Sequence, residues 1–275
     1  MSSSSAPEGA PTSTAVEVRR DGPIGWITLD GPDRLNAIGT RTYTAVAAAV
    51  RGFEQDGTTR AVVVHGRGRG FSAGADIEEI GGFAGRSAFE QFIHGFTDAL
   101  DVLEASPLPI IAAIHGAALG GGLELAMACD LRVATPTAQL GLPEARLGVL
   151  PGAGGTQRLP RLVPAGIARE MLMIGSSVTG TRAHAVGLVN QLAEPDALLA
   201  TAGTIATTLA AGSRHVAAAA KALLATTSDL TLADGIVQER RIAADLFAAA
   251  DGREGFASFI ARRPPAFEGA PPRES

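Results

Sequence analysis

Short apolar runs separated by stretches of helical spacing organise the first two thirds of the chain. Residues 24–29, 61–65, 110–115, 131–134 and 188–192 are rich in Val, Ile, Leu and Ala, and most are closed by Gly, Pro or Asp, which predicts buried strands. Between them, residues 40–53 and 87–104 repeat apolar positions three and four apart. In the second, Phe89, Phe92, Phe96 and Leu100 form one stripe, the mark of a helix facing a core. Strands alternating with helices predict an α/β architecture with largely buried parallel strands. After about Glu194 the texture changes. Residues 196–211, 214–226, 231–250 and 253–262 are alanine-rich and contain no strand-like run, which predicts a helical domain joined to the α/β body near Pro195. Alanine buries little area, so these helices are expected to lean on the body or on a second subunit.

Composition narrows the function classes. The chain has 275 residues, with 23 Lys and Arg against 28 Asp and Glu, a net charge of −5 and 4% aromatic residues. That balance argues against binding to a nucleic-acid backbone. Lys221 is the only lysine and lies in an ordinary helical pattern, which excludes Schiff-base enzymes and lysine-dependent phosphate loops. Cys129, the only cysteine, is expected as a buried free thiol. His65, His94, His115, His184 and His215 show no metal-binding spacing, so no metal is expected. Residues 1–14 carry no basic or apolar targeting segment, and no stretch is long and apolar enough to span a bilayer. The expectation is a cytoplasmic protein, without membrane contact, whose residues 1–14 and 264–275 are disordered tails.

Gly68-Arg69-Gly70-Phe71-Ser72-Ala73 matches a GxGxxA dinucleotide fingerprint, but no strand ending in an acid follows at the required distance. More informative is 110–130, where a buried strand runs into Gly120-Gly121-Gly122 and then a helix. Unpaired N–H groups at such a helix start, with no side chains in the way, can hold a developing oxyanion. Glu124 lies in the first turn, either as simple compensation of the helix dipole or as an acid beside that donor. Pro143-Glu144 supplies a second isolated carboxylate, to be read as half of an acid/base pair or as a surface partner of Arg146. Phe71-Ser72-Ala73-Gly74-Ala75-Asp76-Ile77 leads into a helix with Asp76 as N-cap, and its amides can supply a second donor to the same oxygen.

In order, Arg34-Leu35-Asn36-Ala37, the segment 71–77, the segment 118–125, Pro143-Glu144 with Leu147-Gly148, and Pro151-Gly152-Ala153-Gly154-Gly155-Thr156-Gln157-Arg158-Leu159 resemble the enoyl-CoA hydratase/isomerase family, the crotonase superfamily. The likeness runs over residues 24–267, and Glu254-Gly255-Phe256 with Phe259 and Arg262-Arg263 fit its tail. It implies a spiral of ββα units over residues 15–194, followed by a helical oligomerisation domain over 195–263 that builds trimers or dimers of trimers. It also implies an acyl-CoA thioester substrate, its carbonyl oxygen held by the amides of Ala75 and Gly121, and no cofactor, coenzyme A being part of the substrate.

Members that hydrate 2-trans-enoyl-CoA, as in fatty-acid β-oxidation, carry glutamates at both matching positions, whereas isomerases typically keep only the one matching Glu144. The resemblance therefore implies that Glu124 deprotonates water and Glu144 protonates Cα, giving a 3-hydroxyacyl-CoA. It assigns CoA contacts to Arg34, Leu35 and Ala37, to Ala73, Ala75, Asp76, Ile77 and Glu78, to Gly121, and to Arg263 reaching a neighbouring subunit. Glu78 and Glu79 depart from the basic residues often found beside this loop, and Leu142 from a common glutamine. The acyl pocket is expected between residues 80–96 and the C-terminal helices. Alternatives are enoyl-CoA isomerisation, a pathway-specific hydration or dehydration, and a non-catalytic CoA- or RNA-binding role.

Overall fold

The computed structural model describes residues 13–268. Its strands are Ala15–Asp21 (β1), Ile24–Asp30 (β2), Ala61–Gly66 (β3), Ile110–Ile114 (β4), Ala117–Leu119 (β5), Leu131–Ala134 (β6), Gln139–Gly141 (β7), Ser177–Thr179 (β8) and Gln191–Leu192 (β9). The helices are Thr40–Gln55 (α1), Ile77–Gly81 (α2), Arg86–Ala105 (α3), Gly121–Ala128 (α4), Gly155–Leu162 (α5), Ala165–Arg169 (α6), Gly180–Ala185 (α7), Leu198–Ala210 (α8), Arg214–Thr226 (α9), Leu232–Ala248 (α10) and Ala250–Ile260 (α11). The larger sheet runs β1-β2-β3-β4-β6-β9, parallel throughout except for the β1–β2 hairpin. A smaller sheet, β5-β7-β8, lies beside it.

Both faces of the larger sheet are covered, which is why its central strands read as unbroken apolar runs. On one side Ile27, Leu29, Val62, Val64, Ala112 and Ile114 pack against α1, α3 and α4. On the other, Ile24, Trp26, Ala61, Val63, Ile111, Ala113 and Val133 pack against Leu198, Ala202 and Ala206 of α8. The first helix beyond the expected junction at Pro195 is thus part of the body's packing.

Three local differences from the sequence expectations have physical causes. The run 188–192 pairs as a strand only at Gln191–Leu192, because the Leu188 and Val189 amides close the end of α7 on the Ala183 carbonyl. β1 was not expected: it is an edge strand with most side chains in solvent, so it carries little apolar pattern. The strands of the smaller sheet are three residues each, too short to show periodicity.

Of the segments expected as tails, 1–14 and 264–275, residues 13–14 and 264–268 are held in the structure, while 1–12 and 269–275 lie outside the described residues. Thr14 is buried, donating its hydroxyl to Ala37 O at 2.6 Å and accepting from Thr42 Oγ1 at 2.9 Å. At the other end the Glu268 amide donates to Asp251 and its carbonyl accepts from buried Arg60 at 2.7 Å. Polar side chains from distant positions hold both segments, and no local pattern reports them. Cys129 is a buried free thiol, which burial pushes up to about 12.

Candidate active site

Two backbone turns meet at the site. The first follows β3. Asn36 is completely buried, donates from Nδ2 to the carbonyls of Arg67, Gly70 and Phe71, and accepts from the Gly31 amide through Oδ1. To serve these partners, Leu35 and Asn36 both take positive φ, 50° and 56°, a conformation to which Asn is better suited than Leu. The latch binds the 34–37 loop to the next one: the Ile38 amide donates to Gly74 O and the Asp76 amide to Ile38 O. Asp76 caps α2, accepting from the Glu78 and Glu79 amides as expected of an N-cap.

The second turn links β5 to α4. Gly120 has φ of 50°, and a Cβ there would stand 2.6 Å from Glu144 Oε1. A Cβ on Gly121 would meet the Phe96 ring at 2.7 Å and the Ala75 amide nitrogen at 3.3 Å. Only glycine admits this approach, and it brings the amides of Ala75 and Gly121 beside one another. Neither donates to an acceptor among the described residues.

The Glu124 side chain, on the first turn of α4, is buried, and its Oε1 accepts from the Ala153 and Gly155 amides at 2.8 Å each. Burial pushes its acid up to about 7. The two backbone donors oppose this by favouring the charged form, while the Glu144 charge adds to it. Glu144 stands on a 3-10 turn, Pro143–Leu147, whose proline sets the backbone direction just before it. Its acid is also raised by burial, and its Oε2 is a buried oxygen without a hydrogen-bond partner. The carboxylate is therefore not spent on Arg146. A buried oxygen without a protein partner is costly.

Glu124, Glu144, Ala75 and Gly121 line one cavity of about 350 Å³, together with Ala73 and Ile77. Its remaining wall is apolar: Ile80, Phe89, Phe92, Ile93 and Phe96 on one side, Leu147, Val149 and Leu150 on the other. Residues 80–96 thus contribute as expected, but no residue of α9–α11 does, because these helices pack away from the cavity. The 147–153 segment stands in their place, a contribution that sequence reasoning missed. Leu142 is buried beneath the glycine turn, against Gly155, and does not line the cavity.

The residues expected to contact CoA separate into groups. Ala73, Ala75, Ile77 and Gly121 face the cavity, whereas Arg34, Leu35, Ala37, Asp76 and Glu78 are not part of its lining. Arg34 Nη2 lies 2.7 Å from Asp76 and 2.9 Å from Glu78, so acidic neighbours already engage the guanidinium expected near a pyrophosphate. Glu79 accepts from the Thr40 amide. Arg263 makes a two-pronged pair with Glu254 of its own chain, at 2.5 and 2.8 Å, and is not brought to the cavity. No group of His, Cys, Asp and Glu suited to a metal ion occurs among the described residues, nor does a helix long and apolar enough to cross a membrane. The GxGxxA stretch opens no long helix: it runs along β5 and ends in the turn that presents Ala75.

The same order of parts occurs in known proteins. The family described as enoyl-CoA hydratase/isomerase matches residues 19–270. A probable enoyl-CoA hydratase, echA8, of Mycobacterium leprae is 38% identical over 89% of this chain and 94% of its own length. A probable enoyl-CoA hydratase of Bacillus subtilis is 36% identical over 93% of this chain and 99% of its own. The crystal structure of an enoyl-CoA hydratase from Polaromonas sp. JS666 superimposes with a TM-score of 0.90 at 31% identity, covering 92% of this chain and 99% of that one. A family match across nearly the whole chain, full-length relatives and a shared fold leave one assignment: the chain belongs to the enoyl-CoA hydratase/isomerase family.

Proposed function

We propose that the protein adds water across the 2-trans double bond of an enoyl-CoA thioester. The observation that carries this reading is the pairing of two carboxyl groups, buried Glu124 and half-buried Glu144, with two uncommitted amides on one apolar cavity. In this reading the thioester oxygen accepts from the Ala75 and Gly121 amides, each contributing roughly 3–4 kcal/mol to the enolate-like transition state. Glu124, in its charged form, takes a proton from water as the oxygen bonds to Cβ. The electron pair of the double bond moves to the thioester, and Glu144 in its acid form delivers a proton to Cα. Proton transfer then restores the starting forms, and the product is the 3-hydroxyacyl-CoA.

The proton affinities support this division. An acid near 7 is balanced between holding and releasing a proton at neutral pH, which suits a general base. Burial favours the protonated form of Glu144, as an acid requires. The thioester supplies the electrophile, so the reading needs no cofactor. It places the adenosine end of CoA near the 34–37 and 73–78 segments. Arg34 would exchange a carboxylate for phosphate there, and Arg263 would act only across a subunit contact.

The reading includes a homotrimer or dimer of trimers formed through the C-terminal helices, and a cytoplasmic protein. The direct test adds crotonyl-CoA and, separately, a longer 2-trans-enoyl-CoA, following loss of the conjugated thioester absorbance and the product mass. One added water is the expected result. Double-bond migration without a mass change would assign the isomerase reaction instead.

A further inference from the structure

Helix α5 begins where the turn holding Glu124 ends, and it carries one charged side chain that folds back onto that turn. Arg158 Nη1 donates to Ala153 O at 2.5 Å, while the amide of the same residue, Ala153, donates to Glu124 Oε1 at 2.8 Å. The guanidinium is itself gripped from α3: Nε and Nη2 donate to the two oxygens of Glu104 at 2.6 and 2.8 Å, and Asp101 lies 3.5 Å from Nη2. Only 14% of the Arg158 side chain is exposed. Between the two contacts sits Gly154, with φ of 97°, where a Cβ would stand 2.1 Å from Arg158 Nη1. The turn is therefore shaped around the guanidinium. Its other side rests on α3 as well, since a Cβ on Gly152 would meet the Ile93 side chain at 2.9 Å.

We propose that Arg158 is a positioning residue for Glu124: clamped by Glu104 on α3, it fixes the Ala153–Gly155 turn whose amides orient the carboxylate toward the cavity. A bidentate Arg–carboxylate pair has the planar rigidity this requires, and a lysine cannot supply both the fork to Glu104 and the bond to Ala153 O. The arrangement ties the base to the helix that carries Phe92 and Phe96 of the cavity wall. Charge acts as well: Arg158 favours the charged form of Glu124 and Glu144 disfavours it, while Glu104, Asp101 and Glu124 act on Arg158.

This role rests on the hydratase reading only for its kinetic arm. In Arg158→Gln, kcat for enoyl-CoA hydration at neutral pH should fall by about 10²-fold, the scale of a small misplacement of a catalytic group, with KM nearly unchanged. The Glu124 titration, followed in ligand-free protein by carbon-13 NMR of labelled glutamate against Glu124→Gln, should move to higher pH. Arg158→Lys keeps the charge, so its titration should stay near the wild-type value while kcat still falls. Arg161→Gln, exposed on the same helix, should leave both unchanged. Wild-type kcat in folded Arg158→Lys overturns the proposal, as does an unmoved Glu124 titration in folded Arg158→Gln. If Arg158→Gln does not fold, Arg158→Lys decides by its kcat. If the wild type hydrates no enoyl-CoA, the functional reading fails separately, and the NMR arm still judges whether Arg158 governs Glu124.

Discussion

Helix α8 buries Leu198, Ala202, Ala206 and Ala210, most of them against one face of the larger sheet. Helices α9 and α10, with similar alanine-rich stretches, bury no residue. The apolar side chains of the last helices point outward instead: Leu232, Phe259 and Ile260 are each 80% or more exposed. Around the cavity some apolar side chains are exposed too, Ile77, Leu147 and Leu150 among them, but there polar atoms also lack partners: two amides and one carboxylate oxygen. Unmatched polar groups inside a body point to chemistry, because an unsatisfied buried group costs more than a matched one gains. Unmatched apolar groups on a helical surface fit the proposed subunit contact, because a large exposed apolar patch is stabilised by covering it.

The largest expected effects fall on the cavity. Glu124→Gln and Glu144→Gln should each lower the hydration rate by about 10²–10⁴-fold, the usual contribution of a general acid or base, while still binding the CoA ester. Unchanged turnover in either would remove that residue from the mechanism. Glu124→Gln should also gain stability in a pH-dependent way. The folded-state acid is raised from 4.5 to about 7, so wild-type stability is complete below about 4.5 and declines as pH rises toward 7. By pH 8 the burial of charge costs about 3 kcal/mol that the neutral amide does not incur. Denaturant unfolding at pH 4.5 and pH 8 should show the mutant's advantage appearing only at the higher pH; an equal difference at both would contradict it.

On the helical side the effects are smaller and separate the two roles of alanine. In the proposed assembly, Ile260→Asp should leave the fold intact but give a smaller species than the wild type in analytical ultracentrifugation; an unchanged sedimentation coefficient would count against a subunit contact through this surface. Ala206→Leu, fully buried in α8, should destabilise by about 1–3 kcal/mol through overpacking. Ala220→Leu, exposed on α9, should change stability by less than about 0.5 kcal/mol. Equal costs at the two positions would erase the distinction between α8 and its successors.

Much of the fold was legible because its signals are local. β3 and β4 are continuous apolar runs, α3 shows its stripe, and the break in texture near Glu194 marks where strands cease. The three consecutive glycines and the first-turn acid were likewise visible as a pattern. Contacts made over long separations were not. Asn36 reaches the carbonyls of residues 67–71, and Arg158 reaches back to Glu104. Lys221, unremarkable in an alanine-rich helix, places its ammonium 2.7 Å from Leu103 O, 3.2 Å from Leu108 O and 2.9 Å from Asp130, and so docks α9 on the body. Nothing in the neighbouring residues announces these roles.

By itself the sequence determined the class of architecture, the order of the main buried strands and longer helices, and the residue types available for acid/base work, since periodicity, caps and turns act over a few residues. Only the tertiary structure decided that the Ala75 and Gly121 amides lie side by side, that the 147–153 segment rather than α9–α11 walls the cavity, and that Glu124 holds its proton to about pH 7. Proton affinity depends on how much water a group loses and which charges stand near it, and both are set by segments that meet only once the chain is folded.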